Sequence, residues 1–237
     1  MTPDPTPPVR VVEIDTPQGP ARAHVHAPPG VDVPGVDVPG VDVPGVDVGA
    51  ADARGRLALP GALVLGHGAG GGIGAPDLVA VTAAATASGL AVVLVEQPYR
   101  VAGRRVGPRG PALDSAWTAV LAHLREHVLD APVVTGGRSA GARTACRTAT
   151  ATGAVGVLCL AFPTQPPGRP DAPSRVPELD AAGVPVLVVQ GERDPYGTPP
   201  GAPGRTVVTV AGDHALRKDL PAVTGAVRAW LPTVLPA

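Results

Sequence analysis

The feature that most constrains the fold is a series of short apolar runs that do not alternate. "GALVLG", "LAVVLVEQPYR", "VGVLCLAFP" and "PVLVVQG" each read as a continuous apolar strand rich in Ala, Val and Leu, and helix-like stretches lie between most of them. A strand written this way is buried on both faces, because an alternating pattern would leave one side to water. Strands of this kind separated by helices imply an α/β fold, a mainly parallel central sheet with helices on both faces. "APDLVAVTAAATASG" and "PALDSAWTAVLAHLREHV" supply helical periodicity, with Trp117, Leu121 and Leu124 as core positions. Ahead of them, "VRVVEIDT" and "ARAHVHAP" predict two strands in a hairpin, with His24 and His26 on one face as half-exposed strand residues that have no acidic or thiol ligand beside them.

The 237 residues, 44% hydrophobic and 16% charged, suit one globular domain over 1–237 with a sizeable core. A net charge of -1 and the lack of any basic block disfavour nucleic acid and anionic membrane as partners. "TPDPTPP" after Met1 has neither the basic start nor the apolar core of a signal peptide, so a cytoplasmic protein is expected. Abundant Arg and Ala, with no Asn, suggest a GC-rich bacterial genome. Cys146 and Cys159 read as small buried hydrophobes, since neither has a ligand at zinc spacing.

Residues 30–48 repeat "VDVPG". A Pro-Gly turn every few positions prevents the valines from assembling a core, so the stretch reads as a flexible surface insertion. Asp32, Asp37, Asp42 and Asp47 lack the convergence and the loop glutamate of a calcium site.

In "VVTGGRSAGARTA", residues 133–145, a strand must turn into a helix within a few residues, and small side chains must flank the tip. Gly136, Gly137, Ala140 and Gly141 meet that need. Gly137, Arg138, Ser139, Ala140 and Gly141 match G-x-S-x-G, in which a strained turn exposes a serine hydroxyl above the sheet. The alternative is a tight turn whose serine only caps the helix. Loops at the carboxyl ends of parallel strands converge on one crevice. There the sequence puts "HGAGGG" after the third strand, Ser139 after the fifth, Asp194 after the seventh and His214 after the eighth.

Serine, acid and histidine in that order resemble the α/β-hydrolase family. The set "HGAGGG", "PYRVAGRR", "GGRSAGAR", "QGERDPYG" and "GDHAL" is similar to a small, cap-poor branch related to testis-expressed hydrolase-like proteins and an NSL chromatin-complex subunit. The resemblance covers nearly all of the chain except the pentapeptide repeat. It implies Ser139 as nucleophile, His214 as base and Asp194 as the acid that orients the imidazole. It also implies an oxyanion hole from the amides of Ala140 and Ala69, with Gly70 as the near alternative to Ala69. No cofactor is implied.

Glu192 and Asp213 are competing acids. Asp213 is better suited to holding its loop, and His67 to bonding the glycine loop than to acting as a base. Arg104, Arg105 and Arg138 either clamp an anionic substrate group or hold loops by pairing with carboxylates. Trp117, Tyr99, Phe162 and Tyr196 are candidates to examine near any site, though Trp117 is favoured as core.

Between "LAFP" and "PVLVVQG" the chain has prolines and turns but no long apolar lid, which suits an open site for a small acyl substrate. The expected function is therefore a serine hydrolase of small esters, thioesters or related acyl compounds. A catalytically silent hydrolase-like scaffold is the alternative, since fold does not guarantee chemistry. A dinucleotide site at "GHGAGGG" fits poorly, because G-x-G-x-x-G and its later acid do not fall in register. Bond type and oligomeric state stay open.

Overall fold

The computed structural model describes residues 9–31, 51–108, 110–169 and 171–235. Most of the pentapeptide repeat, residues 32–48, lies outside them.

Strands β1 (Val9–Ile14) and β2 (Ala21–His26) form the expected antiparallel hairpin, with Val9 opposite His26 and Ile14 opposite Ala21. The chain then alternates β3 (Ala62–Gly66), α1 (Pro76–Thr86), β4 (Ala91–Glu96), α2 (Pro98–Val101), α3 (Gly110–His127), β5 (Val133–Arg138), α4 (Ala140–Thr152) and β6 (Gly156–Leu160). It closes with α5 (Val176–Asp180), β7 (Val186–Gly191), β8 (Arg205–Val210) and α6 (Leu220–Trp230). The eight strands make one sheet in the order β1-β2-β4-β3-β5-β6-β7-β8. β2 runs antiparallel to β4, and every neighbouring pair from β4 to β8 is parallel.

Period-two geometry sends successive side chains to opposite faces. On β3, Leu63 and Leu65 join the cluster under α1 and α6, whereas Ala62 and Val64 meet Trp117, Leu121 and Leu124 of α3. On β6, Leu158 and Leu160 take the first face, and Val157 and Cys159 pack under α4. Both faces are therefore dry, as the continuous apolar runs require. The Cys146 and Cys159 thiols are free, buried and 3.5 Å apart in this second layer. Among the described residues no helix is long and apolar enough to cross a membrane.

Two sequence expectations change. "LAVVLVEQPYR" is strand only to Glu96, because Pro98 has no N–H for the ladder and opens the helical turn α2. His24 does have an acidic neighbour: antiparallel pairing of β2 with β4 brings Glu96 Oε2 within 3.2 Å of its Nε2.

Candidate active site

Close backbone packing builds the turn at Ser139. A Cβ on Gly137 would stand 2.2 Å from the Gly66 carbonyl oxygen, and one on Gly141 2.4 Å from the same atom. β5 and the head of α4 thus press against the end of β3 at distances that only glycine allows. Between them Ser139 adopts φ 52 and ψ -106, a conformation costly for a residue with a Cβ. Its N–H is held by the Leu160 carbonyl at 2.9 Å. Its side chain makes no capping bond to α4, so the capping alternative does not describe it.

The hydroxyl faces His214 instead. Ser139 Oγ lies 3.0 Å from His214 Nε2, and His214 Nδ1 lies 2.8 Å from Asp194 Oδ2. A carboxylate only accepts, so Nδ1 carries the proton and Nε2 is left to accept from the serine. Asp194 is buried, and its other oxygen accepts from the Tyr196 N–H at 2.9 Å. Gln190 Nε2 donates to Asp194 Oδ2 at 2.7 Å and also contacts the carbonyls of Gly197 and Phe162. The loops that carry the acid and the histidine meet through Gly191, whose Cβ would fall 2.4 Å from the Asp213 carbonyl oxygen. Asp213 caps its own turn through the Ala215 N–H, and Glu192 pairs with Arg193 in solvent. Neither competing acid reaches the imidazole.

Ala140 opens α4 directly after Ser139. Amides in a first helical turn have no partner four residues back, and the helix dipole adds positive potential there. Across the crevice "HGAGGG" forms a turn closed by Gly71 N–H to the Gly68 carbonyl at 3.1 Å. Gly68 is the part of this loop that approaches Ser139, its added Cβ falling 3.5 Å from the serine Cβ. Ala69 follows it. Burial raises the pKa of the Tyr99 hydroxyl, against lowering by the Arg100 charge and the Gly70 backbone.

His67 anchors the loop. Nδ1 bonds the Gly68 carbonyl at 2.9 Å and Nε2 accepts from the Gln97 N–H at 3.2 Å. Burial lowers its pKa.

The three arginines singled out in the sequence separate. Arg138 takes the loop-holding role: Nη2 donates to the His214 carbonyl at 2.7 Å, and Nε stands 3.0 Å from Asp77 Oδ2, close enough for charge pairing though off the hydrogen-bond line. These two contacts are the loop-holding alternative named for it in the sequence. Arg104 and Arg105 are exposed beyond α2, and the Arg105 carbonyl lies near Gly70 of the glycine loop.

Sequence reasoning missed Asp77 and Gln190, whereas Tyr196, a candidate for a pocket wall, does stand beside the site. Asp77 follows Pro76 at the start of α1 and reads as an ordinary helix-start acid. Gln190 carried a usable signal, a lone amide ending a buried apolar run. Tyr196 stacks on the His214 imidazole, with centroids 4.3 Å apart at 34°. Trp117 lies beneath the site in the core, against Gly66.

Comparison with known proteins agrees with this architecture. The alpha/beta hydrolase domain family matches residues 60–217. A serine hydrolase without lid from Xanthomonas campestris superposes with a TM-score of 0.68 at 20% identity, covering 99% of this chain and 98% of that one. Dienelactone hydrolase from Anabaena variabilis gives 0.63 at 16% identity over 98% and 100%. Est1E from Butyrivibrio proteoclasticus gives 0.63 at 14% over 93% and 97%. No curated protein matches the chain by sequence.

Proposed function

The chain belongs to the α/β-hydrolase family, and from that premise we propose that it is a serine hydrolase that cleaves small esters, thioesters or related acyl compounds through an acyl-enzyme on Ser139. The observation that carries this reading is the hydrogen-bonded line from Ser139 Oγ through His214 to Asp194, set on a strained turn at the head of α4. The motif likeness to the cap-poor branch supports it, and the structural neighbours named as hydrolases and an esterase are consistent with it.

In the proposed reaction Ser139 Oγ bonds to the substrate carbonyl carbon while its proton passes to His214 Nε2. The negative charge moves to the carbonyl oxygen, where the amides of Ala140 and Ala69 receive it. Ala69 directly follows Gly68, the residue of the loop that approaches Ser139, and Gly70 is the near alternative. The leaving alcohol or thiol takes the proton from Nε2 as its bond to the acyl carbon breaks. Water then gives a proton to Nε2, attacks the acyl carbon and releases the acid, and Ser139 recovers its proton. Asp194 stays ionised and stabilises the imidazolium. No step calls for a cofactor.

Among its described residues the segment between β6 and β7 holds one helix, the five-residue α5, in keeping with an open site and short acyl chains. Intact mass after treatment with a fluorophosphonate, with peptide mapping, tests the reading. One adduct on Ser139, absent in Ser139→Ala, is expected. Folded protein that takes no adduct and cleaves no short ester would instead favour the scaffold.

A further inference from the structure

The segment after β6 and the exit of β7 enclose a cavity of about 320 Å³ lined by Thr164, Gln165, Arg169, Pro195, Tyr196 and Gly197 among others. It lies beside the reacting groups, since Tyr196 stacks on His214. Its wall is well tied. Thr164 N–H, Thr164 Oγ1 and Gln165 N–H all donate to the Tyr196 carbonyl, at 3.0, 2.6 and 3.1 Å. The Thr164 carbonyl in turn accepts from the Arg175 N–H at 2.9 Å. One short segment therefore supports the cavity, the tyrosine on the histidine, and Arg175.

The arginines around this segment are not all paired. One turn below Ser139, Arg143 makes a two-point contact with Glu178, with Nε to Oε2 at 2.8 Å. The next turn places Arg147 on both oxygens of Asp114 and on Glu178. These contacts engage both carboxylates. Arg175 is near enough to feel Arg143, Glu178 and Tyr196, yet its guanidinium makes no hydrogen bond or ion pair with any described residue. Arg169, on the cavity wall, likewise pairs its side chain with none of them. An arginine stays protonated even when partly buried, so Arg175 keeps its charge beside the cavity wall, where its own N–H is bonded to the Thr164 carbonyl.

We propose that Arg175, with Arg169 at the cavity mouth, is a subsite for an anionic group of the substrate, so that the preferred acyl group carries a terminal carboxylate. A guanidinium fork matches a carboxylate with two parallel hydrogen bonds, and the cavity has room for a short acyl chain. Such a substrate supplies the negative charge that the ion-pair network lacks. This inference rests on the hydrolase reading for its choice of substrate, but the subsite itself can be tested without turnover.

The experiment compares p-nitrophenyl butyrate with mono-p-nitrophenyl glutarate, which differ mainly in a terminal carboxylate. The wild-type protein is expected to favour the glutarate ester in kcat/KM by about tenfold or more, chiefly through KM. Arg175→Gln should cut that ratio by about tenfold to a hundredfold, and Arg175→Lys should restore part of it. Arg193→Gln, an exposed control paired with Glu192, should leave the ratio unchanged. No preference for the charged ester, or a ratio that falls in Arg105→Gln but not in Arg175→Gln, overturns the assignment. If neither ester is cleaved and Ser139 takes no fluorophosphonate, the hydrolase reading fails and calorimetric titration of glutarate monomethyl ester decides the subsite. Saturable binding lost in Arg175→Gln upholds it, and no binding overturns it.

Discussion

Arg138 donates from Nη2 to the His214 carbonyl at 2.7 Å, so the residue before the serine holds the backbone of the histidine that faces it. The same guanidinium pairs through Nε with Asp77, fully buried at the head of α1. One side chain thus joins three parts of the site, namely the helix behind the glycine loop, the turn at Ser139 and the loop after β8. Positioned groups of this kind act on rate through geometry, since small misplacements of a reacting group are costly.

Arg138→Lys cannot span both partners with one ammonium, and the His214 loop should lose its tether. Turnover of a short ester is expected to fall about tenfold to a hundredfold, with KM little changed, in steady-state assays run alongside melting curves. Burial already raises the Asp77 pKa despite the nearby arginine. Removing its charge in Asp77→Asn should therefore cost little stability while kcat still falls. A double-mutant cycle should show coupling of about 0.5–3 kcal/mol. A loss confined to melting temperature, with kcat intact, would reduce the pair to packing.

The sheet was legible because burial on both faces writes itself as unbroken Val and Leu, and Ser139, Asp194 and His214 because each ends such a run in a polar loop. Asp77 was not legible. Its position at a helix start explains it locally, and only the approach of α1 to β5 gives it Arg138. Arg175 was hidden for a related reason. Nothing near it in the chain says that Glu178, three residues on, is engaged by Arg143 and Arg147 of α4. Local sequence reports periodicity and turns, whereas the sharing of charges between distant elements depends on the finished packing.

Ser139 holds φ 52 and ψ -106, and strain of this kind costs about 1–3 kcal/mol for a residue with a Cβ. Ser139→Gly relieves it, less about 0.5–1 kcal/mol for the freedom glycine gains in the unfolded chain. Urea denaturation should therefore find Ser139→Gly more stable than wild type by about 1 kcal/mol, and Ser139→Ala, which keeps the Cβ, close to wild type. Both variants should lose turnover. Equal stability of the Gly and Ala variants would remove strain from the account of the turn.

Gln190 donates to Asp194 Oδ2, the same oxygen that faces His214 Nδ1, and its amide also contacts the Phe162 and Gly197 carbonyls. Gln190→Leu keeps the bulk but withdraws the donors from three buried acceptors. A loss of about 1–3 kcal/mol per acceptor left without a partner is expected, reduced where water enters. Turnover should drop further than stability, because Asp194 is then oriented only by the Tyr196 N–H and His214. Parallel urea titrations and kcat measurements separate the two effects.

His67 makes the glycine loop sensitive to acid. Nε2 accepts from the Gln97 N–H while Nδ1 bonds the Gly68 carbonyl, so the neutral ring satisfies both neighbours. A second proton would set Nε2–H against N–H in a buried place, and burial accordingly lowers the pKa below its ordinary 6.5. The unfolded chain then binds more protons than the folded one between the two pKa values. The stability this histidine confers is complete above about pH 6.5 and is lost as pH falls through the lowered value. His26 and His123 are lowered too and add to the same slope. His67→Gln, which cannot take up the proton, should flatten the curve of unfolding free energy between about pH 7 and about pH 5 without abolishing it. An unchanged slope in that variant would mean that the acid sensitivity of the fold resides elsewhere.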